Sequence, residues 1–390
     1  MWSEVKFHLR RSRFCFLMAH FCRTQSWSSH MKMNPKNHSR LSRRHFLRGL
    51  GAVAAGLTFL PREGWSAEEK KLNFYNWDTY IGETTLDDFR VASGIEVSMD
   101  LFADNDELFA KLKEGNPGYD LIVPTNDFVE RMIRANMLIK LDHSKIPNFK
   151  NVDKAFRDAA FDPKRAYSMP YMWGTIGIGY RKSKVSKVPD SWSNLFASSE
   201  YSGRIAVLNS PSETIPVAMK YLGHSLNTAD PAVVKAVEDL MIKQKKHIKV
   251  FAEDNGQDLL LSGEVDLTME YNGDIIQVQE EDDDIAYIVP KEGTLLWEDC
   301  LCIPKGAPHP ENAHAFMNYL LDGDAGALIA DFIQYATPNS VAKAKLGDEY
   351  RNNPAIFPTD DVLGRSESSK YRGEAMQRLF DEAWTRISAA

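Results

Sequence analysis

The side chains able to do chemistry in this sequence are of two kinds, carboxylates and large aromatics, and they recur just behind short apolar runs. NFYNWDTYIG places Trp77, Asp78 and Tyr80 there; LIVPTND places Thr125 and Asp127; VLNSPSET places Ser210 and Glu213. EYNGD adds Tyr271 and Asp274, LLWEDCLC adds Trp297 and Asp299, and QYATPN adds Tyr335. None of them is Lys or Arg. A carboxylate accepts charge-assisted hydrogen bonds from an ammonium group, and the face of an aromatic ring attracts a cation. The same set would repel sulfate or phosphate. Trp297 and Asp299 are two apart in a strand-like run, so both point to one face and can offer a ring and a carboxylate to one end of a ligand. Two of the residues also have a plain structural reading: Asp274 could cap the helix that follows it, and Trp297 could be core.

Other chemistries have less behind them. Beyond residue 67 the histidines are His143, His224, His247, His309 and His314, and the close pair His309 and His314 has no metal-ligand spacing. Neither a metal nor a cofactor is expected. No GxSxG, CxxC, P-loop or GxGxxG occurs there, so nucleophilic and dinucleotide chemistry lack a motif. Paired carboxylates could serve a glycosidase, but a pocket this acidic is poorly suited to keeping one of them as a defined acid.

The elements that must position these residues alternate. Leu72 to Tyr75 reads as a short strand, TLDDFRVASG as a helix closed by Gly94, IEVSMDLF as a strand, NDELFAKLKEG as a helix ending at Gly115, and YDLIVP as a strand before the helix FVERMIRANML. This β-α-β-α-β-α order implies an open, mostly parallel sheet. Ligands of such sheets collect at the carboxyl ends of the strands, where Trp77, Asp78, Tyr80, Thr125 and Asp127 fall. A second unit starts near YMWGTIGIGY, with strands RIAVLN, KVFAE and VDLTMEY separated by helical stretches, and from Pro310 the chain reads as mostly helical. Two units without a flexible linker suggest crossing strands acting as a hinge, near Trp173 and Trp297.

Charge is unevenly spread. The formal net charge of −7 hides 12 basic and two acidic side chains in residues 1–67, which leaves 35 basic against 52 acidic side chains and a net of −17 in the remainder. An acidic body argues against nucleic acid as a partner; it suits a cationic ligand, and solubility alone would also account for it. The basic leader contains SRRHFLR followed by the apolar GLGAVAAGLTFLP and small residues near Gly64, Ser66 and Ala67. That is the pattern of an export signal, similar to the twin-arginine type through Arg43 and Arg44. Met31 or Met33 would start a signal of ordinary length, and residues 1–30 read as an over-extended start. Cys15 and Cys22 fall in this leader. Cys300 and Cys302, two apart on a strand, read as small buried side chains rather than as a strained disulfide. No Cys follows the apolar stretch to carry a lipid anchor, so the exported chain is expected to be soluble.

FYNWDTYIG, YDLIVPTNDFVERM, YSMPYMWGTIGIGY, MEYNGD, VPKEGTLLWEDCLCIP and YATPNS, in this order, resemble the spermidine/putrescine-binding proteins of ABC transporters. The resemblance runs over about residues 72–345. It implies an α/β chain of the type II periplasmic-binding-protein fold, with two lobes joined by hinge strands. Residues 1–67 would be leader, 68–175 plus about 300–345 one lobe, and about 176–299 plus 346–390 the other. It further implies a non-enzymatic periplasmic receptor, a monomer, that hands a polyamine to an inner-membrane permease without entering the membrane itself. By position it carries ligand-binding roles onto Trp77, Tyr80, Thr125, Asp127, Glu213, Tyr271, Trp297, Asp299 and Tyr335. Departures bear on the choice of amine: Ser210 stands where spermidine-type members have Asp, Tyr271 replaces their Trp, and their C-terminal Gln falls at Ser369. Asp274 matches putrescine-type members, and Asp127 adds a carboxylate where relatives have Tyr or Ser. Putrescine is therefore expected over spermidine. Rival readings are a receptor for an aminophosphonate or opine, which should need an Arg or Lys in the cleft, and an exported enzyme, which should need a catalytic motif.

Overall fold

The first apolar run forms β1 (Lys71–Asn76), and burial on both faces explains its lack of polar alternation. The structure, a computed structural model, describes residues 68–390, so the export-signal reading lies outside the described residues. After β1 come α1 (Thr85–Ser93), closed at Gly94, and β2 (Glu96–Leu101), which pairs parallel to β1 with Glu96 beside Lys71. α2 (Asn105–Lys113) starts at Asp104, whose carboxylate accepts the Glu107 amide at 2.7 Å and so satisfies a free helix donor. β3 (Leu121–Ile122) lies parallel on the other side of β1, and α3 (Asn126–Arg134) leaves from its end.

β4 (Ser168–Arg181) is long and precedes the short α4 (Ser193–Phe196). A second parallel group follows: β5 (Ile205–Leu208), α5 (Pro211–Tyr221), α6 (Pro231–Lys245), β6 (Ile248–Ala252), α7 (Gly256–Leu261) and β7 (Leu267–Tyr271). α8 (Asn272–Gln279) and β8 (Ile285–Ile288) complete it, and β9 (Leu295–Cys302) returns beside β3. The C-terminal part comprises α9 (Pro310–Leu320), α10 (Gly323–Ile333), α11 (Ser340–Lys345), α12 (Asp348–Arg351), α13 (Asp360–Arg365), β10 (Glu367–Ser368) and α14 (Glu374–Ala389). α14 packs on α5 and α6.

The strand order is β2-β1-β3-β9-β4-β7-β5-β6, with β10 beside β9 and β8 beside β4. β4 joins the two parallel groups: residues 168–175 pair antiparallel with β9, and residues 176–181 with β7 and β8. Its glycines make room for close neighbours. A Cβ on Gly174 would lie 2.5 Å from Cζ2 of Trp297, so only glycine lets that indole lie against the strand. In the main core Phe74 meets Phe316 edge to face at 5.5 Å, a geometry that the ring quadrupoles favour. Cys300 and Cys302 are both buried free thiols on β9. No helix among the described residues is long and apolar enough to cross a membrane.

Candidate functional site

The chain turns sharply after β1 through Thr79, at φ 46°, and Asn76 holds the turn by donating to the Tyr80 carbonyl at 3.1 Å. Trp77 is fixed by its Nε1–H on the Val123 carbonyl at 2.9 Å. Across from it, β7 runs into α8 and presents Tyr271 and Asp274, while β9 presents Trp297 and Asp299. Tyr335 follows α10; a Cβ on Gly273 would sit 2.5 Å from Cζ of its ring, so the start of α8 and Tyr335 can meet only through glycine.

These residues line a single cavity. Its aromatic wall is a chain of edge contacts: Trp77 to Tyr271 at 6.5 Å, Tyr271 to Trp297 at 6.1 Å, Trp297 to Tyr335 at 5.2 Å and Tyr335 to Tyr80 at 5.2 Å. Each contact is close to edge on face, the geometry the ring quadrupoles favour, and a ring face left uncovered by its neighbour can meet an apolar chain or a cation. Two donors in the wall, Tyr80 Oη and Trp297 Nε1, are buried without a hydrogen-bond partner among the described residues.

Carboxylates stud this wall, and most are steadied by a neutral hydroxyl. Asp299 accepts from Thr125 Oγ1 at 2.8 Å, and Thr125 in turn exchanges hydrogen bonds with Asn105. Glu213 accepts from the Tyr271 hydroxyl at 2.7 Å. The Tyr335 hydroxyl favours the charged form of Asp274, and the Tyr80 hydroxyl does the same for Asp299, from a position short of hydrogen-bond geometry. Burial nevertheless dominates: it pushes Asp274 and Asp299 up to about 7 and Glu213 up to about 8. Among the described residues lining the cavity there is no Lys, Arg or His. Carboxylates taken out of water without a basic partner are costly, and a cation between them offsets that cost.

Ten of the twelve residues singled out from sequence line the cavity: Trp77, Asp78, Tyr80, Thr125, Glu213, Tyr271, Asp274, Trp297, Asp299 and Tyr335. Asp78 is exposed at the rim. Asp127 and Ser210 do not line it. The first turn of α3 carries Asp127 to the far side, where it accepts from Ser369 Oγ at 2.9 Å and faces Arg372 in a separate pocket. Ser210 precedes α5, shares its hydroxyl with Ser212 at 3.1 Å, and helps Glu213 hold its charge from behind. Sequence reasoning missed Asp254, which lines the cavity from the loop between β6 and α7. Its carboxylate lies within 4.8 Å of those of Glu270 and Asp274. Asp254 does sit behind the strand-like KVFAE, the same placement that marked the other residues, and that signal could have found it.

Residues 84–359 match the model of the bacterial extracellular solute-binding protein family. The chain belongs to that family. A putrescine-binding periplasmic protein of Pseudomonas aeruginosa is 34% identical over 342 residues, covering 83% of this chain and 93% of its own. A spermidine/putrescine-binding periplasmic protein of Escherichia coli is 32% identical over 348 residues, covering 89% and 98%. Among solved structures, one from Listeria monocytogenes ascribed to a spermidine/putrescine ABC transporter superposes with a TM-score of 0.79 at 31% identity, covering 82% of this chain and 99% of its own. The fold is the type II fold of periplasmic solute-binding proteins.

Proposed function

We propose that this protein is an exported, non-enzymatic receptor that encloses a short linear polyamine, putrescine in preference to spermidine, and delivers it to an ABC permease. One observation carries the reading: a cavity walled by aromatic rings and by buried carboxylates with no basic residue among its lining. Trp77, Tyr80, Tyr271, Trp297 and Tyr335 would clamp the methylene chain, while Glu213, Asp274 and Asp299 neutralise ammonium groups. Charged hydrogen bonds of about 1.5–3 kcal/mol each and cation–π contacts of about 0.5–2 offset an association cost of about 4–15, which leaves micromolar or tighter binding within reach. The polyamine names of the relatives support the amine. The diversion of Asp127 to Arg372 supports the shorter one.

The periplasm is the proposed compartment, reached by the twin-arginine-type leader, and the receptor works as a monomer. The two parallel groups act as lobes with the boundaries given above, β4 and β9 serving as the hinge between them. Thermal shift of the protein against putrescine, cadaverine, spermidine, spermine and an aminophosphonate tests the ligand class, since binding stabilises the folded state by mass action. The largest shift is expected with putrescine. A shift with the aminophosphonate alone would sink the reading.

A further inference from the structure

Three carboxylates converge at the cavity, two of them from MEYNGD and the third from a loop far from it in sequence. Asp254 comes from the loop before α7, Glu270 from β7 and Asp274 from the first turn of α8, and one oxygen of each lies within 4.8 Å of the others. Asp254 and Asp274 line the cavity, and Glu270 stands fully buried beside them. Oε1 of Glu270 accepts the Tyr271 amide at 3.0 Å, but Oε2 has no partner among the described residues. A fully buried carboxylate oxygen with nothing to accept from is costly, so it points to a donor that a ligand supplies.

The surroundings bear on what that donor is. An ammonium nitrogen about 2.8 Å from three oxygens along its tetrahedral N–H directions sets them about 4.6 Å apart, a span that groups gathered within 4.8 Å of one another can provide. Calcium would want six to eight oxygens at about 2.4 Å, whereas the lining beside the three carboxylates includes the rings of Tyr271, Trp297 and Tyr335.

We propose that Asp254, Glu270 and Asp274 form the seat for one unsubstituted primary ammonium end of the ligand, each N–H directed at one carboxylate. This rests on the amine reading above and deepens it by stating which end group the site accepts. Burial raises all three acids, repulsion within the trio raises Asp254 and Glu270 further, and Glu213, Asp299, Asp78 and Asp258 add negative charge around them. The three acids therefore hold protons to higher pH than exposed carboxylates do, and an entering ammonium favours their release.

Isothermal titration of putrescine at pH 7, in two buffers of different ionisation enthalpy, reads affinity and proton release together. Wild type, Glu270→Gln and Asp254→Asn are compared, with N,N,N′,N′-tetramethylputrescine and calcium chloride as further titrants. Expected are proton release by wild type, a loss of about tenfold or more in each variant with less proton release, and weaker binding of the tetramethyl compound. Tight wild-type binding that neither variant alters overturns the seat and leaves the amine reading intact. Calcium that displaces putrescine from wild type but not from Glu270→Gln assigns the triad to a divalent cation and overturns it too. Wild type that does not bind putrescine here, nor cadaverine or spermidine in the thermal-shift series above, ends the amine reading, and the seat with it. Should Glu270→Gln fail to fold, Asp254→Asn, at a half-buried loop position, decides the matter alone.

Discussion

Replacing Asp299 by Asn should weaken ligand binding and, above neutral pH, strengthen the ligand-free fold. The two effects share one cause. Asp299 is buried, accepts from Thr125 Oγ1 at 2.8 Å, and is raised by burial from the ordinary 3.8 to about 7. Asparagine Oδ1 can keep the Thr125 bond, so the change removes charge with little change of shape. For the ligand, a charge-assisted bond of about 1.5–3 kcal/mol becomes a neutral one of about 0.5–1.5. The loss of about 1–2 kcal/mol corresponds to roughly 5- to 30-fold in Kd. For the fold, a raised native value means that the folded protein holds the proton more tightly than the unfolded chain between about pH 4 and 7. Stability from this group is therefore present at low pH and declines as pH rises through that window, by up to about 4 kcal/mol. The variant lacks this decline. Calorimetric titration of putrescine at pH 8, with melting curves at pH 5 and pH 8, separates the two effects: affinity falls while the ligand-free variant melts higher than wild type at pH 8. Affinity within twofold of wild type would falsify the role of the charge. A lower melting point at pH 8 would show that Asp299 is stabilised where it sits, against the burial argument.

Three further outcomes follow from the same geometry. Glu213, Asp274 and Asp299 must lose protons to receive an ammonium, so putrescine affinity should rise between pH 6 and 8 as groups raised to about 7 and 8 ionise; a flat profile by calorimetry counts against their contact with the ligand. Asp127→Asn should leave putrescine affinity within about twofold, because that carboxylate faces Ser369 and Arg372, yet lower the melting temperature by leaving Arg372 without its facing charge; a tenfold loss of affinity would put Asp127 back in the site. Gly174→Ala places a methyl 2.5 Å from Cζ2 of Trp297, so the indole must shift, and putrescine affinity should drop about tenfold with a change in tryptophan emission; unaltered binding and emission would show that the indole's position is not set by β4.

What the chain encodes locally was readable without coordinates. β1, α1, α2, α3 and the strands behind Ser210 and Tyr271 follow from apolar periodicity and from capping residues such as Asp104 and Gly94, which act within a few residues of themselves. The pairing of Trp297 with Asp299 was equally local, since a two-residue period puts them on one face of β9, and both line the cavity. Tertiary structure decided the rest, because a side chain's destination depends on what packs against its element from far along the chain. Asp127 lies two residues beyond Thr125 and looked like its companion, but the first turn of α3 rotates it toward Ser369, 242 positions away. Glu270 sits in MEY and reads as an ordinary strand position. Only the register of β7 against β4, with Glu270 opposite Gly177, and the arrival of the loop before α7 bring its carboxylate to Asp254 and Asp274. Charges that meet across the fold carry no local signature, since the energy that makes them matter arises only when folding has removed the water between them.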